Sequence, residues 1–476
     1  MAGPGSGAAP RPHKEGTPGG TPEPVRAPDP TWAGAARGLA MTGVPVAGLD
    51  PHRLLVFLVQ VGGLLLLALL LGRVARRLGM PAIVGELAAG VLAGPSVLGH
   101  LAPALSGWVL PHEPEQAHLL DAVGQLGVLL LVGLTGAHLD LGLIRRRGGA
   151  VAWISGAGLA VPLTLGIGCG LLLPGSLVPD GAGRGTVALF LGVALGVSAI
   201  PVIAKTLLEL RLLHRDVGQL TLCAVTVDDL AGWVLLSVVS AMATTGVRTN
   251  EVLLAVGKVA LVIALTAVAV PLVRAGLRAA RHGSQDAVAA VALILLAAAG
   301  TQALGLEAVF GAFVAGVALG GEEGPARLPG LDAAVLTVLA PLFFVTAGLR
   351  MDLGALTRPV VAGAAALLLA AAITGKFGGA YLGARLSGLG HWEGLALGAG
   401  MNARGVVEVV IAMVGLRLGV LPPEIYTVIV LMAVVTSVMA PPVLRSAMAR
   451  VAESDDERRR GHTQGGLEVR REVANS

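Results

Sequence analysis

The chain has 476 residues, 54% hydrophobic and 13% charged, with a formal net charge of +4 and a mean hydropathy of +0.79. A soluble domain carries about 25% charged residues, so this balance excludes an ordinary soluble fold. The basic residues sit in short loops between apolar runs, which excludes a nucleic-acid surface and makes them topology signals instead.

Residues 1–50 are rich in Gly and Pro and read as a disordered tail outside the cytoplasm. No basic segment followed by an apolar core precedes residue 50, so no cleavable signal peptide is expected, and Met41 offers an alternative start. Beyond the tail, apolar stretches of about 20 residues, each one bilayer thick, predict an all-α polytopic membrane protein. Thirteen spans are expected, at about 52–74, 80–97, 119–140, 149–174, 186–210, 216–244, 252–278, 286–303, 306–320, 331–350, 357–386, 392–416 and 424–447. Cys169 and Cys223 lie inside spans without metal-ligand spacing and read as small buried hydrophobes; no cofactor is expected.

The loops set an orientation. Arg73, Arg76, Arg77, Arg145 to Arg147, Arg211, Arg215, Arg274, Arg278, Arg281, Arg327, Arg385, Arg445 and Arg458 to Arg460 fall on one side. The other side holds mainly single arginines such as Arg184, Arg248 and Arg358. By the positive-inside rule the C-terminus is cytoplasmic and the N-terminus outside. Residues 448–476 then form a charged cytoplasmic tail, expected to be solvated.

The chain also repeats itself. GELAAGVLAG at 85–94 in span 2 matches GAFVAGVALG at 311–320 in span 9 at five of ten positions. LDA at 120–122 and 331–333 opens spans 3 and 10, which close with GAHLDL at 136–141 and GLRMDL at 348–353. Spans 2 and 9 are seven apart, so the copies, about 52–245 and 286–447 within a 51–447 transmembrane domain, run in opposite directions. Inverted repeats place a transport site near the bilayer midplane. The symmetry locates two interruptions: GVSAIP at 196–201 with Pro201 in span 5, and GAGMNARG at 398–405 with Gly400 and Gly405 in span 12. Proline and glycine break helices there, and such breaks are tolerated at membrane depth only where buried or lining a cavity.

Asp228 and Asp229 lie midway along span 6. An acidic group at a helix centre costs roughly 2.5–3.5 kcal/mol on insertion scales, so two in succession point to cation or proton handling. Successive residues diverge by about 100°, which gives the two carboxylates different roles. A buried carboxylate without a partner holds a proton or a desolvated monovalent cation, but not both. Only four lysines occur, Lys14, Lys205, Lys258 and Lys376. Lys376 falls well inside span 11 and needs an acidic counter-charge, for which Asp228 is the candidate, with snorkelling the alternative. Lys205 and Lys258 read as interfacial. Glu408 follows Arg404 by four residues, the spacing of an ion pair bracing the broken span. Ser198, Thr226 and Asn402 offer neutral oxygens for a hard cation, and Glu86 is either structural or part of a cavity entrance.

Together the motifs GELAAGVLAGP (85–95), SAIPV (198–202), VDDLAGW (227–233), PLFFV (341–345) and MNARG (401–405) resemble the monovalent cation:proton antiporter-2 family, which includes Kef-type and plant CHX-type transporters. The resemblance covers nearly all of residues 52–447. It implies a sodium/proton antiporter fold with two crossing discontinuous helices, a homodimer with a mobile core, and elevator-like alternating access. It further implies that Asp229 is the carrier for Na+ or K+ and for H+, and that Asp228 pairs with Lys376, as in electrogenic double-aspartate exchangers. Unlike Kef proteins, the sequence shows no nucleotide-binding domain after span 13, so gating of that kind is not expected.

The expected function is therefore exchange of Na+ or K+ for H+ across a bacterial cell membrane, in the service of pH homeostasis. Proton-coupled export of an organic cation is the alternative on the same scaffold. An intramembrane aspartyl protease fits poorly, because that chemistry needs two carboxylates converging on one water, whereas adjacent aspartates on one helix diverge.

Overall fold

In lipid the backbone has no hydrogen-bond partner but itself, so long runs of Leu, Ala, Val and Gly fold as helices. A computed structural model of the chain describes residues 50–104, 106, 114–137, 148–198, 200–245, 253–254, 256–266, 268, 284–320, 329–455 and 457–458, and every regular element among them is helical. The expected N-terminal tail, the loops bearing Arg145 to Arg147, Arg248, Arg274, Arg278, Arg281 and Arg327, and the tail beyond Arg458 lie outside the described residues.

The helices are α1 (Pro51–Arg77), α2 (Ala82–Ala93), α3 (Leu98–Leu101), α4 (Pro114–Ala137), α5 (Gly148–Leu172), α6 (Arg184–Gly196), α7 (Ile200–Glu209) and α8 (Asp216–Thr245). There follow α9 (Val256–Thr266), α10 (Ser284–Ala303), α11 (Ala308–Leu319), α12 (Pro329–Ala334), α13 (Ala340–Leu349), α14 (Pro359–Leu386), α15 (His391–Met401), α16 (Val406–Arg417) and α17 (Pro423–Met448). Every expected span has a helix. Among the described residues, eight helical stretches are long and apolar enough to cross a membrane unaided, and α15 with α16, bent by 45° at their break, makes a ninth. Spans 5, 7, 8 and 9 are represented by shorter apolar helices. A π-helical turn, Val335–Leu339, joins α12 to α13. Pro341 explains it, since its ring and missing N–H disrupt the α-pattern one turn upstream.

The helices sort into two groups by their contacts. In one, α2 packs on α13, α4 on α11 and α13, and α10 on α11. In the other, α5 packs on α14, α6 and α8, while α15 and α16 pack on α17. Span 2 thus lies on span 10 and span 9 on span 3, the exchange an inverted repeat produces.

The repeated glycines show why the motif recurs. A Cβ at Gly85 would overlap the Leu71 carbonyl of α1, and one at Gly311 the Ala297 carbonyl of α10. Gly90 meets the α13 backbone at Val345 and Gly348, while Gly316 meets the α4 backbone at Gly133 and Ala137. Overpacking costs about 1–3 kcal/mol where side chains can yield, and here backbone faces backbone. Gly316→Val should therefore lower thermal stability sharply. Gly300→Val, where the added carbon meets open space, should leave melting unchanged. Equal melting of the two variants would contradict the close approach.

Charged pairs mark the two ends of the molecule. At one end Arg417 meets Glu307 at 2.6 Å, Arg358 meets Glu424 at 2.6 Å, and Arg350 pairs with Asp121. At the other, Glu453 and Glu457 of the segment after α17 dock on the loop before α8, which corrects the expectation of a solvated tail at those two residues, while Asp455 and Arg458 stay exposed. Ser454 and Glu457 form a reciprocal cap: Ser454 N–H donates to Glu457 at 2.7 Å, and Glu457 N–H donates to the Ser454 hydroxyl at 3.2 Å. The other Glu457 oxygen accepts the Asp216 N–H at 2.7 Å, at the amino end of α8, and faces Arg215 at 3.2 Å. His214 reaches Glu453 at 3.1 Å. Burial alone would raise the Glu457 carboxyl, but the amides of Ser454 and Asp216 together with Arg215 hold it below its usual range.

Candidate functional site

The site lies where the two interrupted spans meet α8. α6 ends at Gly196 and α7 begins at Ile200, with Pro201 in the first turn of α7, where a missing N–H costs nothing. α15 ends at Met401 and α16 begins at Val406, so Asn402 to Gly405 form the second break, while Gly400, expected within it, lies in the last turn of α15. The breaks are tied to one another: the Ser198 hydroxyl donates to the Met401 carbonyl at 2.8 Å. Ser437 of α17 holds the Arg404 carbonyl.

A helix ending inside the protein leaves carbonyls unsatisfied and negative dipole charge exposed. At the end of α6 this is met by two cations. Arg404 donates to the carbonyls of Ala194 at 2.9 Å and Leu195 at 2.5 Å, and to Ala372 of α14 at 3.3 Å. Lys376 donates to the Gly196 carbonyl at 2.5 Å. At the amino end of α16, Glu408 accepts the Gly405 N–H at 2.7 Å. Arg404 and Glu408 are 3.8 Å apart without a hydrogen bond. The expected ion pair across the break is present, and each residue in addition caps a broken helix.

Asp228, Asp229 and Lys376 are wholly buried. Lys376 forms an ion pair with one Asp228 oxygen, and the Ser155 hydroxyl of α5 donates to the other at 2.6 Å. Asp229 differs in that neither of its oxygens has a hydrogen-bond partner among the described residues. The Ile200 backbone N–H, in the first turn of α7, acts weakly on the same carboxylate without closing a hydrogen bond. Both amide atoms of Asn402 are also buried and unpaired. Thr226 donates to the Leu222 carbonyl at 2.7 Å, so its hydroxyl hydrogen is committed within its own helix. The structure thus assembles Asp228 with Lys376, and Ser198 with the second break, while Asp229 and Asn402 keep free polar atoms. Ser155 was missed. A lone serine in an apolar span carries no signal beyond its polarity.

The transmembrane sodium/hydrogen exchanger family model matches residues 64–450. The chain belongs to this family. It is 32% identical over 408 residues to the Na(+)/H(+) antiporter NhaS4 of Synechocystis, covering 83% of this chain and 98% of that one. It is 31% identical to the Cation/H(+) antiporter 17 of Arabidopsis thaliana, matching 83% of its own length and 48% of the plant protein. The sodium proton antiporter MjNhaP1 from Methanocaldococcus jannaschii shares the fold, with a TM-score of 0.63 at 17% identity over 84% of this chain and all of the other. As a member of a sodium/hydrogen exchanger family, the chain is a multi-pass membrane transporter and not an enzyme.

Proposed function

We propose that the chain exchanges Na+ or K+ for protons by alternating access, with Asp229 as the carrier. The observation that carries this reading is the contrast within the pair: Asp228 is committed to Lys376 and Ser155, whereas Asp229 is equally buried with both oxygens free. Each Asp229 carboxylate takes a proton or a cation, and the competition couples the two flows. Asn402, whose amide atoms have no hydrogen-bond partner among the described residues, and Ser198 are the neutral oxygens of this reading. Asp228 and Lys376 hold fixed charge and join α8 to α14 and the end of α6.

The relatives' names support monovalent cations as substrates: NhaS4 is a Na(+)/H(+) antiporter, and GerN of Bacillus cereus, 28% identical, is a Na(+)/H(+)-K(+) antiporter. The protein crosses the cell membrane thirteen times as two inverted repeats, with its N-terminus outside, its C-terminus cytoplasmic, and a homodimer as the working unit. Electrogenic exchange, which the double-aspartate resemblance implies, would gain about 2.3 kcal/mol per net charge per 100 mV.

Everted vesicles carrying the protein, energised to an acidic interior, test the reading. Adding NaCl or KCl should dissipate the proton gradient, and collapsing the membrane potential should change the rate. No response to either salt overturns it.

A further inference from the structure

A buried serine in a helix ordinarily donates to the carbonyl four residues back. The hydroxyls of Thr221, Thr226 and Thr436 do so here at 2.7–2.8 Å. Ser237 of α8 does not: it is 0% exposed and its hydroxyl has no partner among the described residues. The indole N–H of Trp233 is likewise buried and unpartnered, although buried tryptophans usually satisfy that group. Trp233 and Ser237 stand one and two turns beyond Asp229 on the same helical face, a row about 12 Å long.

The row runs toward a cavity. α8 starts at the end where Glu457 caps it, and so runs toward the end marked by Arg350 and Arg417. There a cavity of about 150 Å³ lies between α4, α11, α13 and α16. Its lining includes the charged Asp121, Arg350 and Arg417, and the apolar Val128, Phe343 and Val410. Val309 of α11 lines it. One turn further in, Phe313 faces Trp233 with ring centroids 6.0 Å apart. Cavity, Phe313, Trp233 and Asp229 thus follow one another inward.

We propose that this row is the last stretch of the route by which a cation and its water reach Asp229 from the end where α8 finishes, with Trp233 against Phe313 as its constriction. Ser237 and the indole N–H are the polar stations that replace part of the ion's hydration. The proposal rests on the exchange reading and adds the route and its side.

The test uses the full chain in liposomes, with Cys169 and Cys223 replaced by Ala and Ser237→Cys introduced. A membrane-impermeant quaternary-ammonium methanethiosulfonate is applied from each side in turn. Reaction should occur only from the side on which α8 ends, should be slowed by saturating NaCl or KCl, and should remove most of the exchange present before modification. Should Ser237→Cys lack exchange beforehand, Ser240→Cys, one turn nearer the end of α8, carries the same expectation. No reaction from that side, or reaction without loss of exchange, overturns the route while leaving the exchange reading standing. Absence of exchange in the unmutated protein overturns both.

Discussion

Asp229→Asn should reduce Na+- and K+-driven proton movement to background while the protein folds and melts at least as well as before. Asparagine nearly matches the carboxylate in shape, and among the described residues neither Asp229 oxygen has a hydrogen-bond partner that the change would remove. What disappears is the charge. At an effective dielectric constant of 20 a cation 4 Å from a carboxylate gains about 4 kcal/mol, roughly 1,000-fold in affinity. Removing a buried ionisable group without a partner also removes a desolvation cost. Transport by reconstituted protein, read beside thermal melting of the same sample, checks both halves. Retained exchange would remove Asp229 from the carrier role, and loss of folding would make it structural.

Lys376→Met should destabilise the protein by about 3–5 kcal/mol, the cost of breaking a buried ion pair by removing one partner. Two groups are stranded at once: Asp228 loses its counter-charge and the Gly196 carbonyl, at the end of α6, loses its donor. The double variant Asp228→Asn with Lys376→Met should recover most of the stability, because no unpaired charge is left. Denaturation of the four proteins of this double-mutant cycle measures the coupling. Additive losses would show that Asp228 and Lys376 do not depend on one another.

The spans, the two interruptions and the Asp228–Lys376 pair were legible in the sequence because each follows from a strong local rule. Apolar length predicts a helix, proline and glycine predict a break, and a lysine in lipid needs an acid. Arg404 shows where such rules stop. Its spacing to Glu408 gives that partner, but not the carbonyls of Ala194 and Leu195, some 210 residues away in sequence, to which it donates from the break between α15 and α16. Only the crossing itself supplies that information. The tail shows a milder case: Ser454 and Glu457 have capping-box spacing, but their dock, the amino end of α8, is a tertiary neighbour. The repeat glycines lie between these extremes, since their recurrence is visible in sequence and their reason is the helix contact.

In the proposed exchange one carboxylate, Asp229, holds either a proton or a cation. Titrating purified protein with NaCl or KCl in weakly buffered solution, while following both bound cation and released protons, tests it directly. Wild type should release protons in step with cation binding, and Asp229→Asn should neither bind nor release. Cation binding without proton release, or release that persists in Asp229→Asn, would show that proton and cation do not share this carboxylate.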